Sequence, residues 1–240
     1  MLNQVSRRLN DYLSVVLSQE GELLKISTII PAYNEETRIA KVLSVLQDVA
    51  YIDDIIVVSD GSSDRTVEVA LQFKATVIAL PQNIGKGGAM KAGIEYTDAD
   101  TILFLDADLI GLDKDKHVMP LLRPIIDDEA DMTVGIFGEG RMATDFAQKV
   151  APSLSGQRAV KRLVFDDMGQ LEASRFGVEV ALNRFAEKSG IRVIEVPLPD
   201  LTHVMKEEKL GFVRGFWARM KMYWEIVRST KYGRILKFKR

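Results

Sequence analysis

Between residues 23 and 196, six short apolar runs alternate with helical patterns, and this alternation constrains the fold more than any other feature of the chain. The runs occupy 23–30, 55–59, 75–80, 101–105, 132–137 and 191–196. Each is long enough for a strand and too short for a helix. Between them, helical spacing predicts helices over 38–49, 66–73, 87–96, 117–126 and 172–187. In the first of these, Ile39, Val42, Leu43 and Leu46 share one face. Runs as apolar as Ile102-Leu103-Phe104-Leu105 are buried on both sides. The expectation is therefore α/β: a mostly parallel, Rossmann-like central sheet with helices on both faces. Residues 138–157 carry little pattern and read as an excursion. Amphipathic helices are expected over 2–17 and from 210 to about 230. The domain expectation is an N-terminal helix in 1–22, a core domain over 23–205, and a basic helix and tail over 206–240.

Composition narrows the classes. The 240 residues include no cysteine, which removes disulfide scaffolds, thiolate zinc sites and a cysteine nucleophile. The longest charge-free run, 75–85, contains Pro81 and falls well short of the roughly 20 apolar residues of a membrane span. Arg7, Arg8 and Asp11 argue against a secretory leader, so a cytoplasmic protein is expected. The net charge of −2 conceals an asymmetry: residues 205–240 hold 11 Lys and Arg against 3 Asp and Glu. Such an end either docks on the acidic remainder or contacts an anionic membrane face through 210–240. Nucleic acid is not an expected partner, since the body is acidic and no recognition module appears. A homodimer is left open.

In open α/β sheets, ligands bind beyond the carboxyl ends of the strands. Those ends carry Pro31-Ala32-Tyr33-Asn34-Glu35, Asp60-Gly61-Ser62-Ser63-Asp64, Asn83-Ile84-Gly85-Lys86-Gly87-Gly88 and Asp106-Ala107-Asp108. Of three D-x-D pairs, 98/100 and 113/115 read as caps and turns. Only Asp106/Asp108 directly follows an apolar strand. Two carboxylates placed together need a compensating cation, and hard Mg²⁺ or Mn²⁺ suits them and a diphosphate. The 85–88 loop opens a helix, where amides can face phosphate. It is not a Walker A loop, and Met90 at the third-glycine position spoils the dinucleotide fingerprint. Asp60 is either a turn residue or an acceptor for a base N–H.

Together, "STIIPAYNE", "IIVVSDGSSDRT", "NIGKGGAMKAGIEYTDAD" and "ILFLDADL" resemble family 2 glycosyltransferases of the GT-A fold. The resemblance implies a nucleotide-diphosphate sugar donor and a divalent metal. It assigns Pro31, Ala32, Tyr33 and Glu35 to the nucleoside wall, and Asp60 and Gly61 to the base. It places Lys86 by the diphosphate, Asp106 and Ala107 at the ribose or metal side, and Asp108 on the metal. The second half, with "LLRPII", "PSLSGQRAVKR" and "RFGVEVAL", is similar to glucosyl-3-phosphoglycerate synthases. The expected donor is UDP-linked in preference to GDP-linked, with glucose as the expected sugar, and the likeness puts Ser155, Gly156, Gln157 and Arg158 beside sugar and acceptor. It puts Glu179 near the sugar and His203 on the metal. The polyprenyl-phosphate sugar synthases share the first motifs and diverge after Asp108.

The chemistry asked of these residues is definite. A departing diphosphate needs its charge stabilised, which metal at Asp108 together with Lys86 or Arg158 would supply. An inverting enzyme needs a base, for which Glu179 is best placed; in a retaining one Glu179 would bind sugar hydroxyls. The bland alternative for Glu179 is a surface pair with Arg175. Arg158, Lys161 and Arg162 read as a basic cluster opening a helix, facing either solvent or an anionic acceptor. His117 reads as structural. A binding protein without catalysis, and a nucleotidyltransferase, are the alternatives of another kind.

Overall fold

The structure, a computed structural model, describes residues 24–137, 155–168 and 178–203. The expected helices over 2–17 and 210–230 lie outside them. The chain divides after Leu201 into two compact units, of which the second, Thr202–Arg240, is described only at β9, Thr202–His203.

The first unit follows the expected alternation. Its elements are β1 (Ile26–Ala32), α1 (Ile39–Leu46), β2 (Asp54–Ser59), α2 (Thr66–Ala70), β3 (Thr76–Ala79), α3 (Lys86–Tyr96) and β4 (Thr101–Phe104). Then come β5 (Leu109–Ile110), a π-helical turn at Lys114–Val118, α4 (Met119–Ile126), β6 (Met132–Phe137), β7 (Arg158–Lys161), α5 (Arg162–Met168), α6 (Val178–Ser189) and β8 (Val193–Leu198). Seven strands form one sheet in the order β3-β2-β1-β4-β7-β6-β8. All pair in parallel except β7, which runs antiparallel to β4 and β6 on either side of it.

Strand alternation feeds two cores. Ile26, Ile30, Val57 and Leu103 face α1 and α4, where they meet Val42, Leu43, Leu121 and Leu122. Ile29, Ile56, Ile102 and Phe104 face α3, α5 and α6, where they meet Met90, Val164, Val178 and Leu182. The sheet is thus covered on both faces, as its apolar runs require. Among the described residues no helix is long and apolar enough to cross a membrane.

One expectation is corrected. Arg158, Lys161 and Arg162 do not form a basic patch opening a helix. Residues 158–161 are a strand held between two neighbours, and only Arg162 begins a helix. An extended chain rises about 3.3 Å per residue, so the strand carries Arg158 and Lys161 to opposite edges of the sheet. Lys161 and Arg162 both turn to fixed partners. Arg162 donates to the carbonyls of Thr97 and Ala99 at 2.5 and 2.6 Å. Lys161 pairs with Asp128 and Asp131.

That second pairing belongs to a network at the edge away from the strands' carboxyl ends. Asp131, just before β6, accepts from the Arg192 guanidinium at 2.7 Å and from the Arg192 backbone N–H at 2.9 Å. Hydrogen bonds from Arg192 hold the Asp131 carboxyl well below its usual range, against the opposing effect of burial. A carboxylate with a depressed native pKa stabilises the fold above its unfolded value and loses that contribution as pH falls. Asp131→Asn should therefore cost about 2–3 kcal/mol at neutral pH. In urea titrations across pH, the gap from wild type should stay flat above pH ~5 and shrink below pH ~4. A gap independent of pH down to ~3 contradicts the ionic origin.

Candidate functional site

The cleft is assembled at the carboxyl ends of β1, β2 and β4, the start of α3 and the first turn of α6. Its first wall is tied together by short polar side chains. Pro31 and Ala32 close β1, and Tyr33 beyond them is half exposed. Asn34, at φ +55°, accepts from the Ser63 N–H at 2.8 Å, while its own N–H donates to Ser62 Oγ. The Glu35 N–H donates to Thr66 Oγ1, and the Glu35 carboxylate is buried beside Arg38. The turn after β1 is thereby locked to the turn after β2. Asn34 stands in the quoted motif, yet sequence reasoning gave it no task, because its partners lie about thirty residues away.

Asp60 does structural duty of a kind the sequence could not show. Its two carboxylate oxygens accept the backbone N–H groups of Ile84 and Gly85, at 2.7 and 2.9 Å. Gly61 lets the loop pass: at φ +67° it is left-handed, and a Cβ there would lie 2.5 Å from the Asn83 nitrogen. Asp60 and Gly61 thus clamp the segment that delivers Lys86 to the head of α3. A carboxylate has about four acceptor directions, so the clamp does not exhaust Asp60.

At the centre, the Lys86 ammonium lies between two carboxylates. It is 2.5 Å from Asp106 Oδ1 and 2.9 Å from Glu179 Oε1. Burial pulls Lys86 down, but the Asp106 and Glu179 charges outweigh it and hold the ammonium above its usual range. The other oxygen of Asp106 accepts from Gln157 Nε2 at 2.8 Å. Gly156 passes directly beneath, where an added Cβ would stand 2.4 Å from Lys86 Nζ and 2.8 Å from Asp106 Oδ1.

Under this triad sits Arg158, with no exposed surface. Its guanidinium donates to the Ser155 carbonyl at 2.5 Å, to Asn183 Oδ1 at 3.2 Å and to the Glu179 carbonyl at 3.4 Å, while its buried Nε has no hydrogen-bond partner among the described residues. Burial draws it down to about 10, against the nearby Glu179 and Asp106 charges, so it is still a cation at neutral pH. The site therefore carries two carboxylates and two cations drawn from four elements.

Asp106 and Asp108 do not continue β4. The strand ends at Phe104, and residues 107–108 form a turn with Ala107 buried and Asp108 partly buried. Alternation along an extended segment thus does not relate the two carboxylates. Among the described residues no three carboxylates or histidines gather as a ready metal cage. The oxygen donors at Asp106 and Asp108 nevertheless fit a hard divalent ion in kind. His203 lies in β9, and its side chain is outside the described residues, as is Arg175. The remaining D-x-D pairs are structural: Asp98 pairs with Lys25, Asp100 accepts the Lys25 N–H, and Asp113 caps the turn at 114–118. His117 is buried, its Nδ1 accepting from the Asp113 N–H and its Nε2 bonded to the Pro199 carbonyl.

Comparison with known proteins identifies the family and the fold. Residues 27–190 match the family model for glycosyl transferase family 2. The dolichyl-phosphate beta-glucosyltransferase of Drosophila melanogaster is 37% identical over 108 residues, 38% of this chain and 32% of that protein. The chain thus spans about a third of that relative's length. An uncharacterised protein of Methanocaldococcus jannaschii is 28% identical over 85% of this chain and 94% of its own. Glucosyl-3-phosphoglycerate synthase from Mycobacterium tuberculosis, solved with Mn²⁺, UDP and phosphoglyceric acid, superposes with a TM-score of 0.65 at 25% identity. That match covers 84% of this chain and 78% of that one. The α/β sheet described above is the GT-A architecture of that neighbour.

The close approach at Gly156 is testable without a ligand. Gly156→Ala should push the Lys86 ammonium off Asp106 and lower its proton affinity, since each pKa unit is a tenfold change in free amine. Amine labelling with peptide mass mapping should show Lys86 reacting several-fold to about tenfold faster, with the unfolding midpoint shifted by only a few degrees. An unchanged labelling rate contradicts the geometry.

Proposed function

The chain belongs to glycosyl transferase family 2, and we propose that it transfers a sugar from a nucleotide-diphosphate sugar to an acceptor hydroxyl. The proposed donor is UDP-linked, with glucose as the sugar and Mg²⁺ or Mn²⁺ as the assisting cation. The observation that carries this reading is the convergence of Lys86, Asp106 and Glu179 beside the head of α3. The neighbour solved with UDP and Mn²⁺ supports the donor and the metal.

By resemblance to the family, Pro31, Ala32, Tyr33 and Glu35 form the nucleoside wall, with Asp60 and Gly61 at the base; the other roles follow from charge. A divalent ion held by Asp108, for which His203 and Asp106 are the further proposed ligands, would supply Lewis-acid stabilisation to the leaving diphosphate. Lys86 turns its ammonium from the two carboxylates toward the diphosphate as negative charge arrives, and Arg158 adds a fixed positive field from below. When Lys86 moves, Glu179 is released to the sugar side. In an inverting reaction it takes the proton of the acceptor hydroxyl; in a retaining one it holds sugar hydroxyls.

The acceptor is proposed to carry an anionic group, phosphoglyceric acid being the one bound in the neighbour. A second reading has a polyprenyl phosphate as acceptor at a membrane surface. It is favoured by the likeness to the dolichyl-phosphate enzyme and by the basic character of 205–240.

Thermal unfolding with UDP, GDP and their glucose and mannose conjugates, with and without Mn²⁺, tests the donor. At about 100-fold the Kd a ligand adds ~2.7 kcal/mol, on the order of 5–10 °C for a chain this size. The shift should appear with a UDP ligand, require Mn²⁺, and vanish in Asp108→Ala. Hydrolysis or transfer of labelled glucose onto 3-phosphoglycerate or a polyprenyl phosphate then separates the acceptor readings. Binding without turnover on any acceptor would leave a sugar-nucleotide-binding protein, and no shift at all sinks the donor assignment.

A further inference from the structure

We infer that Gln157 is a positioning residue for Asp106, and that 155–158 serves the donor side of the cleft from beneath instead of contacting the acceptor. This rests on the donor reading above and goes beyond it. The argument begins with where the side chains of this segment point. Ser155, Gln157 and Arg158 are all buried, Gln157 and Arg158 completely. Gln157 Nε2 donates to Asp106 Oδ2, and its Oε1 accepts from Ser155 Oγ at 3.3 Å. Both ends of the amide are used, so its orientation is set. Arg158 bonds three oxygens of the protein. Gly156 offers no side chain, and a Cβ there would collide with Lys86 and Asp106. None of the four presents a polar side chain outward to an acceptor.

The chemistry of the amide fits that task. Asp106 has one oxygen on Lys86 and the other on Gln157. A cation in place of Gln157 would neutralise Asp106 twice over. An apolar residue would take away the charge-assisted hydrogen bond that Gln157 gives to Oδ2. A neutral donor fixes the rotamer and leaves the charge intact. Gln157 immediately precedes β7, which β4 and β6 hold from both sides through Arg158 opposite Phe104 and Val134. The donor to Asp106 therefore stands on a rigid floor.

The test compares Gln157→Met with Val160→Ala, a cavity in the same strand well inside the second core. UDP is titrated in the presence of Mn²⁺ against each full-length variant, well below its unfolding midpoint. Gln157→Met should weaken UDP about tenfold, roughly 1.4 kcal/mol. Val160→Ala, destabilised as much or more, should keep the wild-type Kd. Gln157→Asn, which keeps an amide one methylene shorter, should recover part of the loss, and it replaces the Met variant if that one does not fold. Wild-type affinity in Gln157→Met, or an equal loss in Val160→Ala, overturns the inference.

A second arm needs no ligand. Unfolding midpoints of Gln157→Met, Asp106→Ala and the double variant should be non-additive, because either change alone removes the same bond. Additive midpoints also overturn it. Wild-type protein that ignores UDP removes the donor reading, while this cycle still decides the Gln157–Asp106 contact.

Discussion

One ammonium between two carboxylates organises this cleft. Asp106 comes from the turn after β4 and Glu179 from the first turn of α6. Without Lys86 they would face each other as like charges. The helix that supplies Lys86 is itself aimed by Asp60, through the two amides it accepts. The pair is partly exposed, with about 40% of the Lys86 side chain accessible, so water screens it and its worth to stability is modest. Its consequence is organisational: three elements agree on the position of one cation. Arg158 beneath them has a higher desolvation cost and bonds neutral oxygens, an arrangement that stability alone does not favour.

The two edges of the sheet divide the work. At the far edge, Asp128, Asp131, Lys161 and Arg192 form direct ion pairs that staple β6, β7 and β8 together. At the cleft edge, amides and hydroxyls work beside the Lys86 ion pairs: Asn34 accepts from Ser63, Ser62 accepts from Asn34, and Gln157 donates to Asp106. These neutral groups add geometry there without adding charge.

Much of this was legible in the residues, for reasons that can be named. β1, β2 and β4 are mostly apolar because both faces of the sheet are covered, so their runs stand out. The motifs at their ends follow from the rule that ligands gather at carboxyl ends of strands. β7 was hidden because its four residues are Arg-Ala-Val-Lys, whose polar ends mask a strand that is nearly all buried. Its place inside the sheet, between β4 and β6, is a tertiary fact. The Gln157–Asp106 bond joins residues 51 positions apart, and no local pattern encodes it. The same holds for Asp60, whose partners are amides, which every residue but proline carries. The Asp106/Asp108 pair was found by its position after an apolar run, but its turn geometry was not. Asp98, Asp100 and Asp113 could be told apart from it because they do not directly follow an apolar run.

The reversed strand has one more consequence. β6 ends at Phe137 on the cleft edge, and β7, running the other way, starts from that same edge at Arg158. The segment that joins them is therefore anchored at both ends on the cleft edge of the sheet. Two anchors on one edge make strand register independent of the number of residues between them, because β6 and β7 are fixed by their own ladder and by their other neighbours β8 and β4.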